Sequence, residues 1–381
     1  MKQVTLIATA AMGLESIVAK EVRDLGYEAT VENGKVIFDA PISAIPRCNL
    51  WLRTADRVKI LVGKFQAKTF DELFEQTKAL PWESYIDETG QIPVSGKSIK
   101  STLYSVPDCQ AIVKKAIVER MKLKYGLINK LEESGALYKT EIALLKDEAT
   151  LTIDTSGAGL HKRGYRVGQG EAPLKETLAA SLVLLTNWKP DQPLIDPFCG
   201  SGTILIEAAL IGQNIAPGFN REFASEEWSL VKQRHWDAAF GEAEELANYD
   251  QPLSITGSDI SHQMIETAQA NALEAGLGDL IQWKQMQVSD LTIKQKDGYL
   301  ISNPPYGQRL SDKEEVEKMY QDLGGIMQNH PSWSTYIITA YEQFEKAFGK
   351  AATKKRKLFN GFIQTNYYQY FGKKRRLKTT F

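Results

Sequence analysis

Only three cysteines occur in the 381 residues, and Cys48, Cys109 and Cys199 lie far apart with no CxxC pair among them. A disulfide framework and a thiolate zinc site are therefore not expected, and reduced thiols in a cytoplasmic protein are. Long apolar runs are missing as well. Ala179–Leu185 is among the longest, far short of the roughly 18 residues that a membrane span needs, and Met1-Lys2 opens no apolar signal core. No membrane partner is expected. Acidic residues are absent from 346–381, which hold 11 Lys or Arg, so that a formal net charge of −1 conceals 35 basic against 47 acidic residues in 1–345. Such an end is either solvated surface or a patch for a polyanion. What is present, 43% apolar and 24% charged residues, is ordinary globular composition, and the length predicts two or three domains.

The first 155 residues read as an α+β half. Val4–Thr9, a stripe at helical spacing from Leu14 to Leu25, and Ala29–Phe38 suggest β-α-β. Ile60–Phe65 looks like a strand, Phe70–Leu80 a short helix, Val94–Ser101 a strand whose exposed side is basic or hydroxylated, and Cys109–Leu131 a longer helix. Ile142–Leu145 and Ala149–Thr155 read as a hairpin. A Gly-rich basic stretch follows, with His161, Lys162, Arg163 and Arg166 among its glycines. It is either a solvated connector or a segment that brings Arg163 and Arg166 to phosphate. From Lys175 onward helices (174–186, 203–212, 261–275, 313–329) alternate with strands (193–197, 253–258, 280–284, 298–302, 334–340), the pattern of a doubly wound parallel sheet. Asn360-Gly361 between Leu358-Phe359 and Phe362–Tyr370 predicts a closing antiparallel hairpin. The stretch 213–251, with Phe223, Trp228, Trp236 and Phe240, is longer than this pattern requires, and would either cover the site or extend the core.

Four strand ends carry the chemistry. Asp196-Pro197-Phe198-Cys199-Gly200-Ser201-Gly202-Thr203 runs from a strand through a glycine turn into a helix, where bare backbone and free N–H groups can receive a cofactor. Leu205 stands where a dinucleotide fingerprint needs a small residue, and no Gly-Lys-Ser/Thr is present, so neither a nicotinamide site nor a P-loop is read. Asp259 ends the next strand, where a carboxylate can accept both ribose hydroxyls, and Asp290 follows the third, within reach of an adenine amine. Asn303-Pro304-Pro305-Tyr306 ends the fourth. Its two prolines fix the backbone and remove N–H donors. If the Asn303 side-chain oxygen and the Pro304 carbonyl each accept one hydrogen of a nucleobase amine, the lone pair aims at an electrophile, while Tyr306 stacks on the base.

The glycine turn together with Asn-Pro-Pro-Tyr resembles the class I S-adenosylmethionine-dependent methyltransferases that modify exocyclic amines. Gly13-Leu14-Glu15, Leu160-His161-Lys162-Arg163-Gly164-Tyr165-Arg166, Ala172–Ala180 and Ile215-Ala216-Pro217-Gly218 resemble, over essentially the whole chain, the THUMP-domain RNA methyltransferases, most of all the bacterial 23S rRNA guanine-N2 type. The resemblance implies a ferredoxin-like region (1–60), a THUMP RNA-binding domain (61–155), a basic connector (156–172) and a Rossmann-like methyltransferase domain (173–381). It implies S-adenosylmethionine as cofactor, held by Asp196, Phe198, Gly200, Gly202, Asp259, Ile260 and Asp290. Asn303, Pro304, Pro305 and Tyr306 would position the base, with no metal required. RNA, rRNA or tRNA, would meet Lys97, Lys100, Arg163, Arg166, Lys355, Arg356, Lys374 and Arg375. The rival readings are a tRNA guanine-N2 enzyme, a DNA adenine-N6 enzyme and a non-catalytic RNA assembly factor. The oligomeric state is not legible.

Overall fold

The computed structural model describes residues 2–128, 130–168, 173–307 and 313–373. They form two compact units, Met1–Ala10 with Val18–Leu160 and Arg221–Glu245, and Ala11–Ile17 with His161–Asn220 and Leu246–Phe381. Among the described residues no helix is long and apolar enough to cross a membrane. The three cysteines are free and buried.

In chain order the first half contains β1 (Gln3–Ala10), α1 (Glu15–Asp24), β2 (Thr30–Glu32), β3 (Lys35–Pro41), α2 (Ala44–Trp51), β4 (Ala55–Gln66), α3 (Phe70–Ala79), β5 (Val94–Ile99), α4 (Val106–Tyr125), β6 (Thr140–Leu145) and β7 (Glu148–Asp154). Its strands make one sheet in the order β2-β3-β1-β4-β7-β6-β5. The 12-residue β4 pairs antiparallel with β1 on one side and β7 on the other. The boundary expected between 60 and 61 therefore falls inside a shared strand. The run Ala29–Phe38 is not one strand but a hairpin, because Asn33-Gly34 supplies the turn and Gly34 takes φ +72°. The helix expected over 109–131 begins three residues earlier, with Pro107 in a first turn that needs no N–H, and ends where Gly126 turns left-handed at φ +67°.

The long stretch 213–251 gives up its middle, 221–245, to this first unit. It contains α7 (Gln233–Leu246). Trp228 is buried, stacks on Tyr138 with ring centroids 4.7 Å apart and donates its indole N–H to the Leu137 carbonyl at 3.1 Å. Arg47 grips Glu242 through two hydrogen bonds of 2.7 Å. Replacing a fully buried tryptophan leaves a cavity and an orphan acceptor, so Trp228→Ala is expected to lower unfolding stability by about 3–5 kcal/mol. A urea melt that matches the wild type would remove the excursion from this core.

The second unit is built from α5 (Glu176–Leu184), β8 (Leu194–Asp196), α6 (Thr203–Gly212), β9 (Ile255–Asp259), α8 (His262–Glu274), β10 (Ile281–Gln285), β11 (Tyr299–Ser302), α9 (Lys313–Gln328), β12 (Ser334–Thr339), α10 (Phe344–Phe348), β13 (Lys354–Asn360) and β14 (Ile363–Tyr370). The strand order is β10-β9-β8-β11-β12-β14-β13, parallel as far as β12 and antiparallel for the closing hairpin. This is the doubly wound sheet expected. Because β8 sits between β9 and β11, the carboxyl ends of these three strands open onto one crevice, where such sheets bind ligands.

Candidate active site

The glycine turn follows β8. Gly200 and Gly202 both take positive φ, +51° and +82°, which side chains with a Cβ rarely adopt. The two glycines serve different neighbours. A Cβ on Gly202 would meet the Trp283 ring at 2.7 Å, so this residue lets the turn pack on β10. A Cβ on Gly200 would meet nothing within 4 Å: its backbone faces open space, as a cradle for a ligand requires. Asp259, at the end of β9, accepts the Gly200 N–H at 3.0 Å with one oxygen and the Ser261 N–H at 2.9 Å with the other. An ionised carboxylate offers about four acceptor directions, so each oxygen retains capacity for a ribose hydroxyl. Beside it Ile260 is 69% exposed, an apolar side chain on which a flat base can lie. Asp290 is exposed at the end of a short 3-10 turn, Val288–Asp290.

Asp196 is the buried charge of the site. Its Oδ1 accepts the Phe198 N–H at 3.0 Å and the Ser302 hydroxyl at 2.5 Å, which joins the end of β8 to the end of β11. Burial pushes its carboxyl up to about 7, against the two hydrogen bonds that favour the anion, and the nearby Asp259 charge adds to the rise. Such a group is half-ionised near neutrality and gains most from a cationic ligand group.

Beneath the turn lies a brace that sequence reasoning missed. Arg166 donates to Glu176 at 2.7 Å, to the Leu174 carbonyl and the Thr203 hydroxyl at 3.1 Å each, and to the Ser201 hydroxyl at 3.4 Å. Asn271, fully buried on α8, donates to the Ser201 carbonyl at 3.0 Å and accepts the Val167 N–H at 2.9 Å. The phosphate contact expected of Arg166 is thus replaced by a structural one. Arg163 departs further from expectation: it is 3% exposed and paired with the buried Glu207, whose Oε1 also accepts the Tyr165 hydroxyl at 3.0 Å. An arginine so enclosed has no face left for RNA. Glu207 is itself the signal, a lone carboxylate within the otherwise apolar α6 that needs a buried partner.

At the end of β11, Asn303 is half-buried, Pro304 buried and Pro305 exposed. The Asn303 Oδ1 accepts the Tyr306 hydroxyl at 2.6 Å, and Asn360, in the closing hairpin, donates to that same hydroxyl at 3.3 Å. Tyr320 on α9 donates to the Pro305 carbonyl at 2.7 Å. Burial raises the Tyr306 phenol to about 12, so it stays a proton donor at any working pH. One lone pair of the acceptor expected to hold an amine hydrogen is therefore engaged by Tyr306, and the other is left for an entering base.

Lys97 is exposed and bridges to Glu141 at 3.0 Å; Lys100 is exposed with φ +51°. Lys355 is exposed and paired with Glu345, and Arg356 is half-buried. Lys374 and Arg375 lie outside the described residues. Among the described residues no group of three or more His, Cys, Asp or Glu is arranged to hold a metal.

Comparison with known proteins adds three family matches: an RlmL ferredoxin-like domain over residues 5–59, a THUMP domain over 67–154, and an RMKL-like methyltransferase domain over 163–369. The Bacillus subtilis protein YpsC, whose name places it provisionally among RNA methyltransferases, is 64% identical over 98% of each chain. The ribosomal RNA large subunit methyltransferase K/L of Syntrophotalea carbinolica is 32% identical over 95% of this chain, which spans 52% of that longer relative. Two crystal structures superpose with TM-scores of 0.95. One is of a Listeria monocytogenes protein titled, by inference, an N6-adenine-specific DNA methylase, 62% identical over 98% of this chain and 97% of that one. The other is SMU.472, a candidate methyltransferase in complex with SAH, 48% identical over 99% of this chain and all of that one.

Proposed function

This chain belongs to the RMKL-like methyltransferase family, and from that premise we propose that it transfers the methyl group of S-adenosylmethionine to RNA, at the exocyclic N2 amine of a guanosine in 23S rRNA. The observation that carries this reading is the pairing of two strand ends, the open glycine turn after β8 and Asn303-Pro304 after β11, bound to each other through Asp196 and Ser302 at 2.5 Å. One end receives an adenosine-bearing ligand and the other presents two oxygens to an amine. Bound S-adenosylmethionine supplies an electrophilic sulfonium methyl. The residues do the rest by placement: Asp196 faces the ligand's amino group, Asp259 the ribose diol, Ile260 and Asp290 the adenine. Asn303 and the Pro304 carbonyl each accept an amine hydrogen, so the nitrogen lone pair is held in line for attack. No strong base is needed before attack, because the amine becomes acidic only as it gains the methyl; the S–CH3 bond breaks as the N–CH3 bond forms, S-adenosylhomocysteine departs, and the amine proton passes to water.

An adenine-N6 target in DNA is the second reading, supported by the name of the Listeria protein and by the equal suitability of Asn-Pro-Pro-Tyr for either amine. The THUMP match and the K/L relatives favour RNA, and rRNA within it. Nucleoside analysis of 23S rRNA from cells lacking the protein tests the choice. Loss of N2-methylguanosine, restored by the wild-type chain, is expected; an unchanged rRNA with altered tRNA or DNA would move the substrate.

The brace under the turn makes a separate prediction. Arg166→Ala removes three contacts to the backbone and hydroxyls around the turn and leaves Glu176 without its ion-pair partner. Affinity for SAH is expected to fall by about tenfold or more, on the scale of other supporting contacts around a ligand site. Titration calorimetry giving wild-type affinity would show that the turn holds its shape unaided.

A further inference from the structure

The closing hairpin ends in Asn360-Gly361-Phe362, and Phe362 is 105% exposed, more than any other large apolar side chain among the described residues. A phenylalanine held wholly in water costs solubility and contributes nothing to the fold. Its position is not arbitrary. Two residues away, Asn360 donates to the hydroxyl of Tyr306, which in turn occupies the Asn303 acceptor, so the turn is tied to the base-positioning residues. The strand leading to it, β13, carries Lys354, Lys355 and Lys357 at exposed positions, and Lys357 lies over the Phe359 ring at 5.8 Å.

We propose that Phe362 is a nucleobase-stacking residue: it packs on a base of the RNA strand next to the target nucleotide, while the lysines of β13 follow the backbone. The inference rests on the RNA reading of the site. A base drawn out of its stack leaves a neighbour with an uncovered face, and an exposed aromatic ring beside the receiving site can cover it. Every base has such a face, so this contact positions the strand without reading its sequence. Gly361, at φ +61°, lets the turn hold the ring clear of the strands behind it.

The test compares wild type, Phe362→Ala and Phe362→Trp in transfer of labelled methyl from S-adenosylmethionine to deproteinised large-subunit rRNA from cells lacking the protein. The Ala variant is expected to lose about tenfold or more in kcat/KM for RNA, the scale of one base–aromatic stack, and the Trp variant to recover it. The KM for S-adenosylmethionine and the melting temperature should stay unchanged in both. Equal RNA kinetics in the Ala variant, or a loss that Trp does not repair, would overturn the stacking role while leaving the RNA reading intact. Absence of transfer to RNA by the wild type would instead overturn the reading and the inference with it.

Discussion

Asn303→Ala is expected to lower the rate of methyl transfer by about 10³-fold or more while affinity for SAH stays within about twofold. The reaction needs no bond to the enzyme, so the protein's contribution is orientation and electrostatic placement, and removing one well-placed group from such a site costs about 10²–10³ in rate. Here the loss should lie at the upper end. Asn303 supplies the only side-chain oxygen in Asn-Pro-Pro-Tyr that is an amide, and its Oδ1 is held half-buried at the end of β11 by the Tyr306 hydroxyl. Cofactor affinity should be spared because the ligand groups named for the cofactor come from β8, β9 and the Val288–Asp290 turn. Asn303→Asp retains an acceptor and should recover part of the rate. Single-turnover transfer with parallel calorimetry separates the two effects, and near-normal turnover of the Ala variant would remove Asn303 from the chemistry.

Asp196→Asn is expected to weaken SAH binding at pH 8 by about tenfold or more and at the same time to raise the stability of the empty protein. Both effects follow from one buried carboxylate. Its pKa of about 7 in the folded chain stands above the ordinary value of 3.8, so the folded state holds this proton more tightly than the unfolded one. The wild type therefore loses stability as pH rises from about 4 to about 7, by an amount on the order of 4 kcal/mol, and the loss levels off above that range. Asparagine keeps an oxygen for the Phe198 N–H and the Ser302 hydroxyl but carries no charge to desolvate, so that pH dependence should flatten. What it cannot do is balance the ammonium of a bound methionine moiety, worth more than a neutral hydrogen bond. For the same reason wild-type affinity should fall as pH drops below about 7. Melting curves from pH 5 to 8, with SAH titrations at the ends, read all three. A variant that binds SAH like the wild type at pH 8 would separate Asp196 from the cofactor.

The catalytic half was legible because its signals are local. Thr203–Gly212 appears at its expected bounds, and the strand ends after Asp196, Asp259 and Ser302 fall where glycine turns, acids and prolines punctuate the chain. The fold-defining order, with β8 between β9 and β11, is long-range, but a parallel βαβ pattern leaves few topologies. Three helices escaped, α2, α7 and the five-residue α10. In α2 the proline at position 46 lies in the first turn, where its missing N–H is harmless. In α7 the spacing of Trp236, Ala239 and Ala243, its buried face, was a helical signal hidden inside a stretch judged only by its length.

The residues proposed for the site stand at strand ends that the sequence marks, whereas their supports are marked by nothing local. Motifs name the groups at strand ends. They do not name Asn271, more than 60 residues from the Ser201 carbonyl it holds, or Asn360, more than 50 from Tyr306. The basic connector misled for a physical reason: arginine among glycines has the composition of a solvated loop, and only the pairing of Glu207 with Arg163 and of Glu176 with Arg166 reveals that both guanidinium groups turn inward. Charge read along a sequence carries no information about which side of the surface it occupies.

The glycine turn and Asn303-Pro304 are proposed to form one methyl-transfer site for guanine in rRNA. Transfer of labelled methyl from S-adenosylmethionine to rRNA, tRNA and DNA of cells lacking the protein, followed by nucleoside analysis of the product, tests it most directly. Label in N2-methylguanosine of 23S rRNA, absent with Asn303→Ala, is the expected result; label confined to N6-methyladenine in DNA, or no transfer to any of the three, would contradict it.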